Sequence, residues 1–227
     1  MTNSEQMKTI RENLDILNQE IPSNVKLIVV SKMQALQRIQ EVYATGQRRF
    51  GENRVQDMIA KQPLLPKDIE WHFIGHLQTN KVKFIALFVH VIQSIDSLKL
   101  LHEIDEEALR NNRIIDCMLQ LYIATEETKF GLDFSEARNL LSSEEFRGLH
   151  HVHIIGVMGM ATYTPDVAVI HKEFRMLKFY FDQLSKEYFP DDPGFSELSM
   201  GMSGDYRIAI EQGSTMVRIG SKIFQEL

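Results

Sequence analysis

"KLIVVSK", residues 26–32, is a short apolar run closed by a serine and a lysine, the pattern of a buried strand with a polar end. Runs of this kind recur along the chain: "RRFG" (48–51), "EWHFIG" (70–75), "VHVIQS" (89–94), "IDCMLQLYI" (115–123), "HIIGVMGM" (153–160), "FSELSMGM" (195–202) and "TMVRIG" (215–220). That makes eight candidate strands. The stretches between them read as helices. In "TPDVAVIHKEFRMLKFYFDQL" (164–184), Val167, Ile170, Phe174, Leu177, Phe181 and Leu184 form one apolar face, with Thr164 as the expected cap and Pro165 at the first helical position. "DFSEARNLL" sets Asp133 three residues before Glu136, the spacing of a capping box. Ahead of the first strand, Met7, Ile10, Leu14, Leu17 and Ile21 fall at three- and four-residue steps and predict an amphipathic helix.

Strands alternating with helices imply parallel pairing through right-handed crossovers. Eight units in 227 residues, close to the roughly 250 residues typical of a (β/α)8 barrel, favour closure over the alternative, an open doubly wound sheet. The expectation is an α/β fold, a single (β/α)8 TIM-like barrel with an extra N-terminal helix, forming one domain over residues 1–227.

Composition narrows the function. With 44% hydrophobic and 25% charged residues the profile is that of an ordinary globular protein. A net charge of −6 argues against a nucleic-acid surface, which needs a basic face. The single Cys117 excludes an intrachain disulfide. With no signal peptide at the start and no apolar stretch long enough to span a bilayer, no membrane association is expected and the cytoplasm is the default. Nothing demands a partner chain, so a monomer is expected.

In a barrel the site lies where the strands end. The first strand delivers Lys32, the second "FGEN" (50–53), the third "FIGHLQTNK" (73–81), the sixth "GVMGM" (156–160), the seventh "SMGMSGD" (199–205) and the eighth "VRIGSK" (217–222). Glycine and serine there are ordinary turn residues when taken singly; their joint placement points to a site. Phosphate sites in such barrels use the loops after strands 7 and 8. "MGMSGD" offers the Ser203 hydroxyl and a glycine, and "RIGSK" offers Gly220 and the backbone N–H of Ser221. Arg218, just ahead of that loop, either pairs with a core carboxylate or faces the ligand, always charged and unable to accept a proton. A lysine desolvated near that cation would be a better nucleophile toward an aldehyde, forming a Schiff base. Amine, phosphate cradle and arginine describe a site for a phosphorylated aldehyde: a sugar phosphate in an aldolase, or pyridoxal 5′-phosphate. "HHVH" places His151 and His153 at i, i+2, expected ahead of the sixth strand at its N-terminal end, with no second ligand cluster to make a metal site. His76 is a candidate pocket residue and His72 a core or rim residue.

"VSK" (30–32), "FGEN" (50–53), "WHFIGHLQTNK" (71–81), "SMGMSGD" (199–205) and "GSTMVRIGSKIF" (213–224) together resemble the pyridoxal phosphate homeostasis protein family, in the right order and over nearly the whole chain. The resemblance implies the barrel half of alanine racemase, a fold-type III pyridoxal phosphate fold. It implies that Lys32 holds the cofactor as a Schiff base, that Ser203, Gly220 and Ser221 bind its phosphate, that Arg218 faces the pyridine nitrogen, and that Asn53 and Met158 line the cofactor. Ser221 stands where many relatives have threonine, Gln225 where many have glycine, and "DYRIAIEQG" (205–213) departs from the usual pattern. None of these removes a cofactor contact. The resemblance implies a binder that buffers pyridoxal phosphate and delivers it to apo-enzymes. The alternative is a weak amino-acid racemase or another pyridoxal-phosphate-dependent enzyme. A racemase of this fold draws a second base from a further domain, and a chain ending at Leu227 is expected to lack it. An aldolase is disfavoured because no carboxylate is evidently paired with Lys32.

Overall fold

In the computed structural model, which describes residues 9–124 and 131–224, the eight apolar runs become eight parallel strands closed in sequence order into one barrel. After the N-terminal helix α1 (Ile10–Glu20) come β1 (Lys26–Val30), α2 (Leu36–Ala44), β2 (Arg49–Glu52), α3 (Val55–Lys61), β3 (Glu70–Phe73), β4 (Val91–Ile95), α4 (Leu98–Arg110) and β5 (Ile115–Gln120). They are followed by α5 (Phe134–Ser142), α6 (Glu144–Arg147), β6 (Val152–Met158), α7 (Val167–Tyr188), β7 (Glu197–Ser199), α8 (Tyr206–Glu211), β8 (Met216–Ile219) and α9 (Ser221–Phe224). The crossover from β3 to β4 carries a 3-10 segment, Thr79–Phe84, in place of an α-helix.

Strand periodicity explains the layering, because alternate side chains take opposite faces. Ile28, Val91, Met118, Ile155, Met158 and Met216 meet inside the barrel. Their neighbours Val29, Phe50, Phe73, Ile92, Val157 and Val217 face the helices and join the larger core with Ile39, Met58, Ile104, Phe174 and Leu177. At the N-terminal end of the strands the interior positions turn ionic. Lys26 bonds to Glu197, Arg49 to Glu70 at 3.0 Å, and His153 to Asp116 at 3.0 Å. His153 therefore lies within β6, not ahead of it, and is held by carboxylates together with His151, which sits 3.5 Å from Asp105.

The extra helix has a structural task. The last crossover element, α9, has only four residues, too few to cover the seam between β8 and β1. Helix α1 takes that place: Asn13 Nδ2 donates to the Ile223 carbonyl at 3.0 Å, and Glu20 accepts from Arg207 and Tyr206 of α8. Leu14 and Leu17 are buried as their spacing predicts; Met7 lies outside the described residues.

The predicted capping box at Asp133 is present, with both Asp133–Glu136 bonds at 2.8 Å. The start of α7 differs from expectation. Its N-cap is Asp166, whose carboxylate accepts from Ala168 N–H at 2.9 Å, while Thr164 Oγ1, two residues earlier, accepts from Asp166 N–H. Pro165 thus precedes the cap, and Val167 is exposed and does not join the apolar face. A carboxylate reaching the first free N–H groups of a helix caps it better than a threonine does.

Candidate functional site

The seam between the first and last strands places the key loops side by side. β1 and β8 pair in the register Ile28–Arg218 and Val29–Ile219, so Lys32 leaves β1 beside the loop carrying Gly220 and Ser221. A β-carbon on Gly220 would meet the Val30 carbonyl oxygen at 3.0 Å and Val30 Cβ at 3.2 Å, so the two strand ends touch backbone to backbone. On the other flank β1 pairs with β2 through Val30–Gly51, and Ser31 N–H reaches the Gly51 carbonyl, which sets Asn53 next to Lys32.

The loops after β7 and β8 are also joined. Arg218 N–H donates to the Gly201 carbonyl at 2.9 Å. Gly201 has φ +97°, and a β-carbon there would come within 2.6 Å of Ala209 Cβ, so the turn requires glycine. Beyond it, Met202 N–H donates to Asp205 Oδ1 at 2.6 Å, and the N–H groups of Asp205 and Tyr206 return to the Met202 carbonyl. This tight turn presents Ser203, half-buried, immediately before α8. Burial pushes the Asp205 carboxyl above its usual range, opposed by its bond from Met202 and by the positive field of Arg218.

Arg218 is the buried cation of the site, 4% exposed. Its side-chain partners are neutral: Nη1–H donates to Ser199 Oγ at 2.6 Å and Nη2–H to the Gly159 carbonyl at 3.0 Å. Among the described residues it makes no core ion pair, the bland alternative for an arginine on a strand. Burial lowers its pKa to about 10, with Asp205 pulling the other way, so it stays protonated at neutral pH. Met158, 1% exposed, lies beneath the mouth in the interior cluster, opposite Ser199 in the β6–β7 register. Asn53 is exposed on the rim.

Lys32 corrects one expectation. It is not desolvated: it is exposed in the turn after β1, between buried Ser31 and the exposed Met33, whose φ is +60°. What is buried is the support beneath it. Glu52, fully buried, accepts from Ser31 Oγ at 2.6 Å and from Lys61 Nζ at 2.7 Å, and Lys61 also donates to the Ser31 carbonyl at 2.8 Å. This cluster pins the residue preceding Lys32, and sequence reading missed it because Lys61 sits a whole helix away. Burial raises the Glu52 pKa against the pull of Lys61 and Ser31. A second missed support is Glu173 of α7, which takes both the N–H (2.7 Å) and the hydroxyl (2.8 Å) of Thr162 and so ties down the loop after β6. His76 stands at the rim 3.1 Å from Asp96, and His72 is a core residue. Gln225 lies outside the described residues.

A strand-end amine, a hydroxyl-bearing turn, a glycine–serine loop and a buried guanidinium thus gather at the C-terminal mouth of a (β/α)8 barrel. The family model described as "Alanine racemase, N-terminal domain" matches residues 6–226. The pyridoxal phosphate homeostasis protein of Aquifex aeolicus is 39% identical over 202 residues, 88% of this chain and 86% of that protein. The one from Pasteurella multocida is 35% identical over 230 residues, 99% and 97% respectively. Among solved structures, PipY of Synechococcus elongatus PCC7942 with PLP bound superposes with a TM-score of 0.85 at 35% identity, covering 95% of this chain and all of that one. Clostridium difficile alanine racemase shares the fold at TM-score 0.72 and 14% identity, with 95% of this chain covering 56% of that one. The chain belongs to the alanine racemase N-terminal-domain family and, within it, to the pyridoxal phosphate homeostasis proteins.

Proposed function

We propose that this protein binds pyridoxal 5′-phosphate at the C-terminal mouth of the barrel and buffers and delivers it, without turning over a metabolite. The observation that carries this reading is Arg218: a buried guanidinium whose hydrogen-bond partners among the described residues are neutral, on the strand that leads into Gly220 and Ser221 and pairs with the strand leading to Lys32. A buried cation hydrogen-bonded only to neutral groups among the described residues favours a bound group of negative charge or strong acceptor character. Relatives named for pyridoxal phosphate homeostasis, and PipY solved with PLP bound, support the assignment.

In this reading Ser203, Gly220 and Ser221 hold the phosphate, and Asn53 and Met158 border the ring. Lys32 would hold the cofactor's aldehyde as a Schiff base, the aldehyde oxygen leaving as water. The bound cofactor supplies an electrophilic aldehyde and, when its ring nitrogen is protonated, an electron sink. Arg218 works against the second property. A guanidinium can only donate, so a ring nitrogen facing it stays unprotonated. The protein keeps the reversible aldehyde chemistry and suppresses carbanion chemistry, as suits a carrier. All these groups come from one chain, which supports a monomer.

The test is borohydride reduction of the loaded, yellow protein followed by peptide mass mapping. The cofactor mass is expected on the peptide containing Lys32; finding it on a peptide containing Lys61 or Lys81 instead would refute the assignment.

A further inference from the structure

Four polar side chains cross the barrel interior in a line, and all are at least nine-tenths buried: Arg218, Ser199, Gln93 and His72. Arg218 Nη1 lies 2.6 Å from Ser199 Oγ, Ser199 Oγ 2.7 Å from Gln93 Oε1, and Gln93 Nε2 2.9 Å from His72 Nδ1. The first bond and the surroundings of Gln93 together set the direction of the rest. Arg218 can only donate, so Ser199 Oγ accepts and passes its own proton to the Gln93 carbonyl. The Gln93 amide nitrogen, a donor only, then faces His72 Nδ1, which must carry no proton. His72 is neutral with its proton on Nε2, and that atom is buried without a hydrogen-bond partner among the described residues. The reverse orientation would strand the Ser199 proton and set the Gln93 carbonyl against Met216 Sδ, which lies 3.1 Å from Nε2. The groups around the ring agree. Besides burial, the charges of His90, Arg49 and Lys26 oppose a cation at His72.

We infer that Ser199, Gln93 and His72 are positioning residues, a one-way hydrogen-bond relay that clamps the Arg218 guanidinium and leaves its remaining N–H groups for an acceptor on the ligand ring. Because the clamp comes from the floor of the barrel, the donor direction toward the mouth is set before any ligand arrives. The functional part of this inference rests on the pyridoxal phosphate reading; the relay itself does not.

Two measurements test it. Nitrogen-15 NMR of the ligand-free chain should show His72 as the Nε2–H tautomer, unchanged from pH 5 to 8. Ser199→Ala, which frees the Gln93 amide, should mix the tautomers, and Ser199→Thr, which keeps the hydroxyl, should restore the single form. An Nδ1–H tautomer in the unaltered chain, or no response to Ser199→Ala, would overturn the relay, and the first of these needs no variant to fold. Binding is then compared for pyridoxal 5′-phosphate and its 1-deaza analogue, which has CH in place of the ring nitrogen. Ser199→Ala and Gln93→Leu should each weaken pyridoxal phosphate binding about tenfold, the scale of one charge-assisted hydrogen bond, and leave the analogue unaffected. Equal losses for both ligands, or none for either, would overturn the clamp. An unaltered chain that bound neither ligand would refute the cofactor reading instead, and the histidine spectrum would still judge the relay.

Discussion

At the scale of single residues, two side chains carry opposite chemistry at the same mouth: Lys32 in water and Arg218 in the dry interior. Ser203 supplies a third, a hydroxyl before α8 that is proposed to meet phosphate. Ser203→Ala should weaken binding of pyridoxal phosphate by about tenfold and leave binding of pyridoxal, which lacks the phosphate, nearly unchanged. Titration calorimetry with both ligands checks this; equal losses would assign the serine to the fold. His72 gives a prediction about stability. Burial and neighbouring cations push its pKa down to about 3 from an unfolded value of 6.5. The unfolded chain therefore takes up a proton that the folded chain refuses, and the contribution of neutral His72 is complete above pH 6.5 and is lost as pH falls toward 3. The loss reaches about 2 kcal/mol by pH 5 at roughly 1.4 kcal/mol per pH unit. Urea unfolding at pH 7 and pH 5 should show a smaller acid loss in His72→Asn; an equal loss would place the acid sensitivity in other groups.

At the scale of elements, the eight strands were legible because each apolar run is local, and a run of four to nine residues between turn formers reads directly as a strand. Caps are local too, but several candidates can compete: the spacing singles out Asp133, whereas around α7 Thr164 and Asp166 are both capping residues two positions apart, and only the backbone shows that Asp166 is the cap. Substitution separates the roles. Asp133→Ala and Asp166→Ala should each cost about 1 kcal/mol in denaturant unfolding, and Thr164→Ala less than about 0.5 kcal/mol. A larger loss at Thr164 than at Asp166 would restore the threonine as the cap. The site was legible only in part. Lys32, Ser203, Gly220 and Arg218 are readable as candidates because they fall at or beside strand ends. Ser199 and Gln93 do not, since their bond joins residues 106 positions apart and depends on which face of each strand turns inward. The exposure of Lys32 was likewise unreadable, because it is set by the turn at Met33 and by the Glu52–Lys61 cluster.

At the scale of the whole molecule, the barrel gathers groups from residue 32 to residue 221 onto one rim and buries the rest of its polar machinery below. The proposal predicts a division of behaviour that can be measured in one preparation. The loaded protein should restore activity to an apo-enzyme that requires pyridoxal phosphate. Given a panel of L- and D-amino acids, it should show no turnover approaching the common enzyme range of about 1–10³ s⁻¹. Robust racemisation or decarboxylation of any one amino acid would make it an enzyme.

The meeting of β1 with β8 has a kinetic meaning. The proposed amine and phosphate loops flank the join between the earliest strand and the latest, nearly 190 residues apart in the chain. Contacts of that separation form late, after the cost of closing the intervening loop has been met. In the proposed site a nascent chain still lacking its eighth strand would have Lys32 and Ser203 but neither Arg218 nor the Gly220–Ser221 loop, so capture of the ligand would begin only when the ring of strands is complete. Once seated, the ligand would bridge both sides of the join like a clasp. At a hundred times its dissociation constant it would hold the ring shut by about 2.7 kcal/mol, making vitamin supply a determinant of how long the folded protein lasts.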